Sequence, residues 1–201
     1  MGIRRILEFG GLAAGVILIV FGVVAIYMGV DGGSTVRDSI KQEQIYFGEA
    51  SDPAVAKYAS QWAGQQVTNG DQARAFAKVM REHTMESSGG LTYAEMGRFQ
   101  ATAAPDDPKG TSDKALAVIG DNGQPVANPV RELWVTETAL TTALNMSYMA
   151  ENLALFGIVV GVALLLAGIG FVVLALVVLG VRVPRKLEVP TPEATQAVPS
   201  V

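Results

Sequence analysis

The residues best suited to chemistry sit together in Met80-Arg81-Glu82-His83-Thr84-Met85, which holds the chain's only histidine. Thioether and imidazole ligands suit copper or a haem iron. On a helix, however, Met85 lies two positions from His83, about 200° around the axis. The three side chains cannot chelate together, and Met80 with His83 alone closes no site. There is no haem attachment motif. Glu82 and Glu86 stand one helical turn apart, with His83 three before Glu86. Di-iron bundles use the opposite order, Glu-x-x-His, in two copies, so these residues read as a solvated charged face. Asp106, Asp107, Asp113 and Asp121 lack the spacing of a calcium loop. A Ser/His/Asp triad would need His83 as its base, and no serine stands in a nucleophile elbow. Neither a P-loop nor a dinucleotide fingerprint is present. Asn145-Met146-Ser147 matches a glycosylation pattern, but within a helical stretch. Cysteine is absent, which excludes disulfides, thiolate zinc, iron–sulfur clusters and thiol catalysis. The expectation is a chain with no catalytic residue, metal or cofactor, in which His83 is an ordinary residue on a polar edge.

The elements that carry these residues are set by where the apolar residues fall. Half of the 201 residues are hydrophobic, 17% are charged, and the mean hydropathy is +0.33. Much of the excess lies in two uncharged runs. Phe9 to Val30 is closed by Glu8 and Asp31, and Asn152 to Val181 by Glu151 and Arg182. The first would form roughly 33 Å of helix, enough for a hydrocarbon core of about 30 Å. The second is longer than needed and must tilt or protrude. Neither carries an ionisable residue, which argues against a transporter or proton pump. The net charge of −4, with no basic cluster, argues against nucleic acid as a partner.

Arg4 and Arg5 flank the first run, and Arg182, Arg185 and Lys186 flank the second. By the positive-inside rule both ends are cytoplasmic. Between the runs, residues 31–151 hold 10 Lys/Arg and 16 Asp/Glu, a net of −6. The predicted organisation is a cytoplasmic N-terminus at 1–8, transmembrane helices at 9–30 and 152–181, an extracytoplasmic helical domain at 31–151 and a disordered cytoplasmic tail at 182–201. The competing reading of the first run is a cleaved signal peptide, against which its apolar stretch continues to Val30. Met1-Gly2 suggests myristoylation, but Ile6 stands where Ser or Thr is required.

Small residues recur inside both runs. Gly15, Gly22 and Gly29 repeat every seven residues, with Gly11 forming GxxxG with Gly15. Ala154, Gly161, Gly168 and Ala175 do the same, and Gly157 forms GxxxG with Gly161. A heptad of small residues keeps one flat seam that lets backbones approach closely, the usual basis of helix association in lipid. The two spans are expected to pack antiparallel along these seams, or to present them to another subunit.

Between the runs, Asp52-Pro53 reads as an N-cap and first helical residue, opening a helix through Lys57, Tyr58 and Trp62. Gly70-Asp71 opens another, with Ala73, Phe76, Ala77, Met80 and Thr84 on one face and Gly89-Gly90 as its stop. Thr92-Tyr93-Ala94-Glu95 has the form of a capping box and predicts a short helix holding Met96 and Phe99. Around Asp121-Asn122-Gly123 two readings stand, a small hairpin and a helical turn from Ser112. Asn128-Pro129 starts a helix with no Gly or Pro between Val130 and Phe156, so one helix runs from Pro129 into the second span. The first span extends outward likewise through Val36, Ile40 and Phe47, with a kink or break at Asp31-Gly32-Gly33. Trp62, Tyr93, Phe99 and Trp134 read as core aromatics.

Two stretches carry a resemblance: Gly89-Gly90-Leu91-Thr92-Tyr93-Ala94-Glu95-Met96-Gly97-Arg98-Phe99, and Trp134-Val135-Thr136-Glu137-Thr138-Ala139-Leu140-Thr141-Thr142-Ala143-Leu144-Asn145. Together with the two runs, they resemble a group of uncharacterised actinobacterial two-span membrane proteins. Some of these are described as aromatic ring-opening dioxygenases. Such chemistry needs iron held by several His or carboxylate ligands, and this chain has one His. The resemblance implies a plasma-membrane protein and no known activity.

The expected fold is therefore a mostly α membrane protein: two transmembrane helices flank a small helical extracytoplasmic domain, and the second span is continuous with a long outer helix. The expected function is a non-catalytic membrane subunit or scaffold that assembles through its glycine-rich transmembrane seams and its helical outer domain, as an accessory subunit of a larger membrane complex. Its partners would be the lipid bilayer and further copies or other membrane subunits, with no nucleic acid. The alternative is an extracytoplasmic ligand- or envelope-binding module without an output domain.

Overall fold

The computed structural model describes residues 3–179. The predicted C-terminal tail, and the last two residues of the second run, lie outside that range. Helices dominate, and among the described residues there is no strand, only isolated bridges. The described residues form four α-helices, α1 (Ile3–Gln42), α2 (Pro53–Tyr58), α3 (Gly70–Ser87) and α4 (Pro129–Leu174), the last followed by a π-helical turn at Ala175–Leu179.

Both long helices contain a stretch apolar enough to cross a membrane. Only 11% and 17% of their most apolar windows are buried within the protein, whereas the core helix of a soluble protein hides most of its surface. Phe21, Leu166 and Val177 are among the apolar side chains left exposed. Of the expected kink or break at Asp31-Gly32-Gly33, the break does not occur: α1 is continuous across it. Helical hydrogen bonding survives a Gly pair when the flanking turns are good helix formers, and glycine's cost is about 1 kcal/mol per residue.

Contacts divide the chain into two units. The first comprises residues 1–21 and 164–201 and contains, among its described residues, the start of α1 and the end of α4. The second comprises residues 22–163. Its core gathers Ile40 from α1, Phe47, Val55 from α2, Val67, Ala73 and Val79 from α3, and Leu144 from α4. Phe47 stacks on Trp62 at 6.0 Å and meets Phe76 edge-on at 5.5 Å, geometries that suit aromatic quadrupoles.

Local chemistry explains the short elements. The Asp52 carboxylate accepts hydrogen bonds from the Ala54 and Val55 amides, capping α2 with Pro53 in its first turn. The predicted continuation to Trp62 is corrected: α2 ends at Tyr58, and Trp62 closes a separate 3₁₀ turn at Ser60–Trp62. Asn69 caps α3. Its stop is the Gly89-Gly90 pair, both with positive φ, and the Gly90 amide bonds back to the Met85 carbonyl at 2.8 Å.

The helix predicted after Thr92 is also absent. The Thr92 amide and hydroxyl do bond to the Glu95 carboxylate at 2.8 and 2.7 Å, but only a turn follows. Gly97 packs on the backbone of Thr111 where a Cβ would overlap it, and Phe99 exchanges two 2.8 Å backbone bonds with Thr111. Residues 97–128 thus form an irregular patch of bridges, not a helical one. Both readings around Asp121 are present. A 3₁₀ turn spans Lys114–Leu116, and Ile119 bridges Pro125 across a tight turn. Asn128, almost wholly buried, ties this patch to α4. Its amide donates to the Gly97 and Pro108 carbonyls, and its carbonyl oxygen accepts from the Val130 amide at the helix start.

Candidate functional site

The residues of the two small-residue heptads are placed as follows. In the first unit Gly11 faces Ala175, where a Cβ on Gly11 would lie 3.6 Å from that of Ala175. Gly15 and Gly168 face each other more tightly. A Cβ on Gly15 would come within 2.8 Å of the Gly168 carbonyl oxygen, and one on Gly168 within 2.7 Å of the Gly15 carbonyl oxygen. In the second unit Gly161 approaches Gly22 the same way, at 2.7 Å from its carbonyl oxygen, and Gly29 lies against Ala154 and Ile158. Gly157 is looser, with nothing nearer than 3.8 Å. Gly10, Gly32 and Gly170, outside the heptads, face open space. Among these glycines of the apolar helices, a backbone atom occupies the volume a side chain would need at the heptad positions Gly15, Gly29, Gly161 and Gly168. Such contact gains dispersion energy between backbones without any apolar drive from water.

Beyond the apolar stretch the same side of α4 turns polar. Glu137 is 2% exposed, and its Oε2 accepts a bond from the Arg81 guanidinium of α3 at 3.0 Å. Arg81 lies over the ring of Trp134, 3.8 Å from its centroid, and Trp134 is buried beneath it. The second carboxylate oxygen of Glu137 and the indole Nε1 of Trp134 are buried without a partner. A cleft of about 320 Å³ opens beside Glu137, Lys78 and Asn145, and one of about 760 Å³ beside Trp134, Tyr93 and Thr142. Arg81 lines both. Tyr93 is exposed under the Arg131 guanidinium at 3.9 Å, and Phe99 and Trp62 are half-buried, so of the four expected core aromatics Trp134 alone is fully enclosed.

His83 stands 3.0 Å from the Asp52 carboxylate, joining α3 to the cap of α2. Its hydrogen bond, reinforced by those from the Ala54 and Val55 amides, holds the Asp52 carboxyl below the usual aspartate range despite partial desolvation. Hydrogen bonds from Lys57 and Tyr58 lower Glu82, and the same contact to Glu82 raises Lys57. The Thr92 amide and hydroxyl lower Glu95. A depressed carboxylate contributes stability above its unfolded value, near 3.8 for Asp52 and 4.5 for the glutamates, and loses it as pH falls through the folded value. The raised lysine contributes below about 10.5 and loses it as pH rises further. Thermal stability should therefore fall below about pH 4.5. Asp52→Asn keeps a capping oxygen but does not titrate, so melting curves from pH 6 to 3 should fall less steeply for it. Equal slopes would remove Asp52 from the acid response.

Among the described residues no three His, Asp or Glu side chains converge as a metal site requires.

Comparison with protein-family models, curated proteins and solved structures gives no match.

The buried Glu137 was not singled out by sequence. The signal was present: Glu137, Leu144 and Glu151 repeat every seven residues, and Glu151 precedes Ala154 by three. The packed side of α4 thus continues outward in a 3–4 spacing.

Proposed function

We propose that this chain is a non-catalytic integral membrane subunit. Its two apolar helices cross the plasma membrane, both termini are cytoplasmic, and residues 31–151 form the part outside that engages a further subunit or a second copy. The observation that supports this most is the division of surface on the two apolar stretches. Their glycine sides are occupied by each other's backbone, while their large side chains are left for lipid or a neighbouring span. Seams already filled within the chain leave assembly to the outer domain and the lipid-facing sides. The test is extraction followed by native mass measurement. The protein should resist alkaline carbonate and run in mild detergent at a mass above one protomer. Release by carbonate would overturn the membrane assignment, and a lone protomer would overturn the subunit assignment.

A second reading is favoured by the Arg81–Glu137–Trp134 cluster, whose unpartnered buried polar atoms are what an empty recognition site carries. On that reading the outer domain binds a ligand or envelope component. The full chain in detergent should then melt higher with soluble cell-envelope fragments, and Thr142→Trp, which fills the larger cleft, should abolish the shift. No shift with any fragment counts against this reading.

A further inference from the structure

A third cavity, of about 460 Å³, lies wholly within the second unit, between α1, α4 and the start of α3. Its walls differ in character. Val30, Leu155 and Ile158 form one side, and Arg37, Asn69 and Asp71 are on the other. This division follows the charge boundary of both long helices. The uncharged run of α1 ends at Val30, before Asp31, and that of α4 begins at Asn152, after Glu151. If the apolar stretches lie in a bilayer, the cavity straddles the level where acyl chains give way to headgroups. The inference rests on that membrane assignment.

The polar wall is fixed in place. Arg37 pairs through its Nε with Glu151, and the other oxygen of Glu151 accepts the amide of Gly70, the first residue of α3. That leaves the terminal nitrogens of Arg37 directed elsewhere as donors, and Asn69, whose carbonyl oxygen caps α3, has its amide group to give. Asp71 is exposed and makes no ion pair among the described residues. One cation, Arg37, faces two carboxylates, Glu151 and Asp71, so the lining is net negative by one charge. A ligand that fits has acyl chains for the apolar side, a phosphate for Arg37 and Asn69, and an N–H-bearing cation for Asp71. We propose that this cavity binds one membrane phospholipid with a primary-ammonium headgroup, a phosphatidylethanolamine. The ammonium donates to Asp71 and the phosphate accepts from Arg37. An anionic glycerol headgroup meets an excess negative charge, and a choline headgroup has no N–H to donate.

The test uses the full chain, first shown to remain in membranes after alkaline carbonate. It is then purified, delipidated in mild detergent and titrated with dioleoyl phosphatidylethanolamine, phosphatidylglycerol or phosphatidylcholine, with native mass spectrometry reading the bound lipid. One phosphatidylethanolamine should be retained in roughly fivefold preference to either of the others, the scale of one partly exposed charge contact. Asp71→Asn, at a surface position, should bring the three lipids level, and Asp71→Lys should reverse the preference toward phosphatidylglycerol. Equal retention of all three by the unaltered protein, or a preference that survives Asp71→Asn, overturns the proposal and leaves the membrane assignment standing. Release by carbonate overturns both.

Discussion

Replacing Gly161 with leucine should destabilise the protein by forcing its two apolar helices apart. A Cβ there would lie 2.7 Å from the Gly22 carbonyl oxygen and 2.8 Å from the Ile26 amide nitrogen. These are backbone atoms of α1 and cannot rotate aside, so the helices must separate. Overpacking of this kind costs roughly 1–3 kcal/mol, and more where the obstacle is rigid. The informative control is Gly170→Leu, in the same helix but facing open space. It should be neutral or gain up to about 1 kcal/mol from helix propensity. The two variants thus differ in sign, and thermal melting in detergent reads the difference. Equal behaviour would mean that α1 does not lie against the glycine side of α4.

The second large effect is expected at Arg81. Arg81→Met strands the Glu137 carboxylate, which is 2% exposed, without its only ion-pair partner among the described residues. It also strips the cation from the face of Trp134. Breaking a buried pair on one side costs roughly 3–5 kcal/mol, and the lower end applies because nearly half of Arg81 reaches solvent. Removing both charges, as Arg81→Met with Glu137→Leu, should recover most of the loss, since no uncompensated charge remains. A denaturant titration of the wild type, the single and the double variant measures this. A single variant as stable as wild type, or a double variant worse than the single, would show that the pair does not behave as a buried charge and its partner.

Which features are legible in the chain depends on the range of the interactions that make them. The cap at Asp52, the start of α3 at Gly70-Asp71, its stop at Gly89-Gly90 and the start of α4 at Asn128-Pro129 all depend on residues within five positions of one another, and each is legible in the chain, although the Asn69 cap itself is not read from it. The two glycine heptads are legible as patterns. What they touch is not, because a flat seam fits a second helix of the same chain or of another equally well. Thr92-to-Glu95 marks the limit of local reasoning. Its hydrogen bonds form, yet the helix they would begin is displaced by the pairing of Phe99 with Thr111 and by the close contact at Gly97. Those partners lie some 12–14 residues away, beyond any propensity signal. Glu137 illustrates the reverse case: an acidic residue reads as solvated until its heptad position shows that it lies on the packed side of α4.

The central claim is that the two apolar helices of one chain lie against each other through their small residues. Because the protein has no cysteine, paired cysteines can test this without background. Gly11→Cys with Ala175→Cys probes the first unit, and Gly33→Cys with Ala154→Cys the second. In each pair the two Cβ atoms would stand 3.6 Å apart, within the range of about 3.5–4.5 Å that a disulfide spans. After mild oxidation in membranes, proteolysis in the segment between the long helices should leave two fragments joined until reductant is added. Cross-linked dimers of the intact chain, or fragments that part without reductant, would contradict the claim.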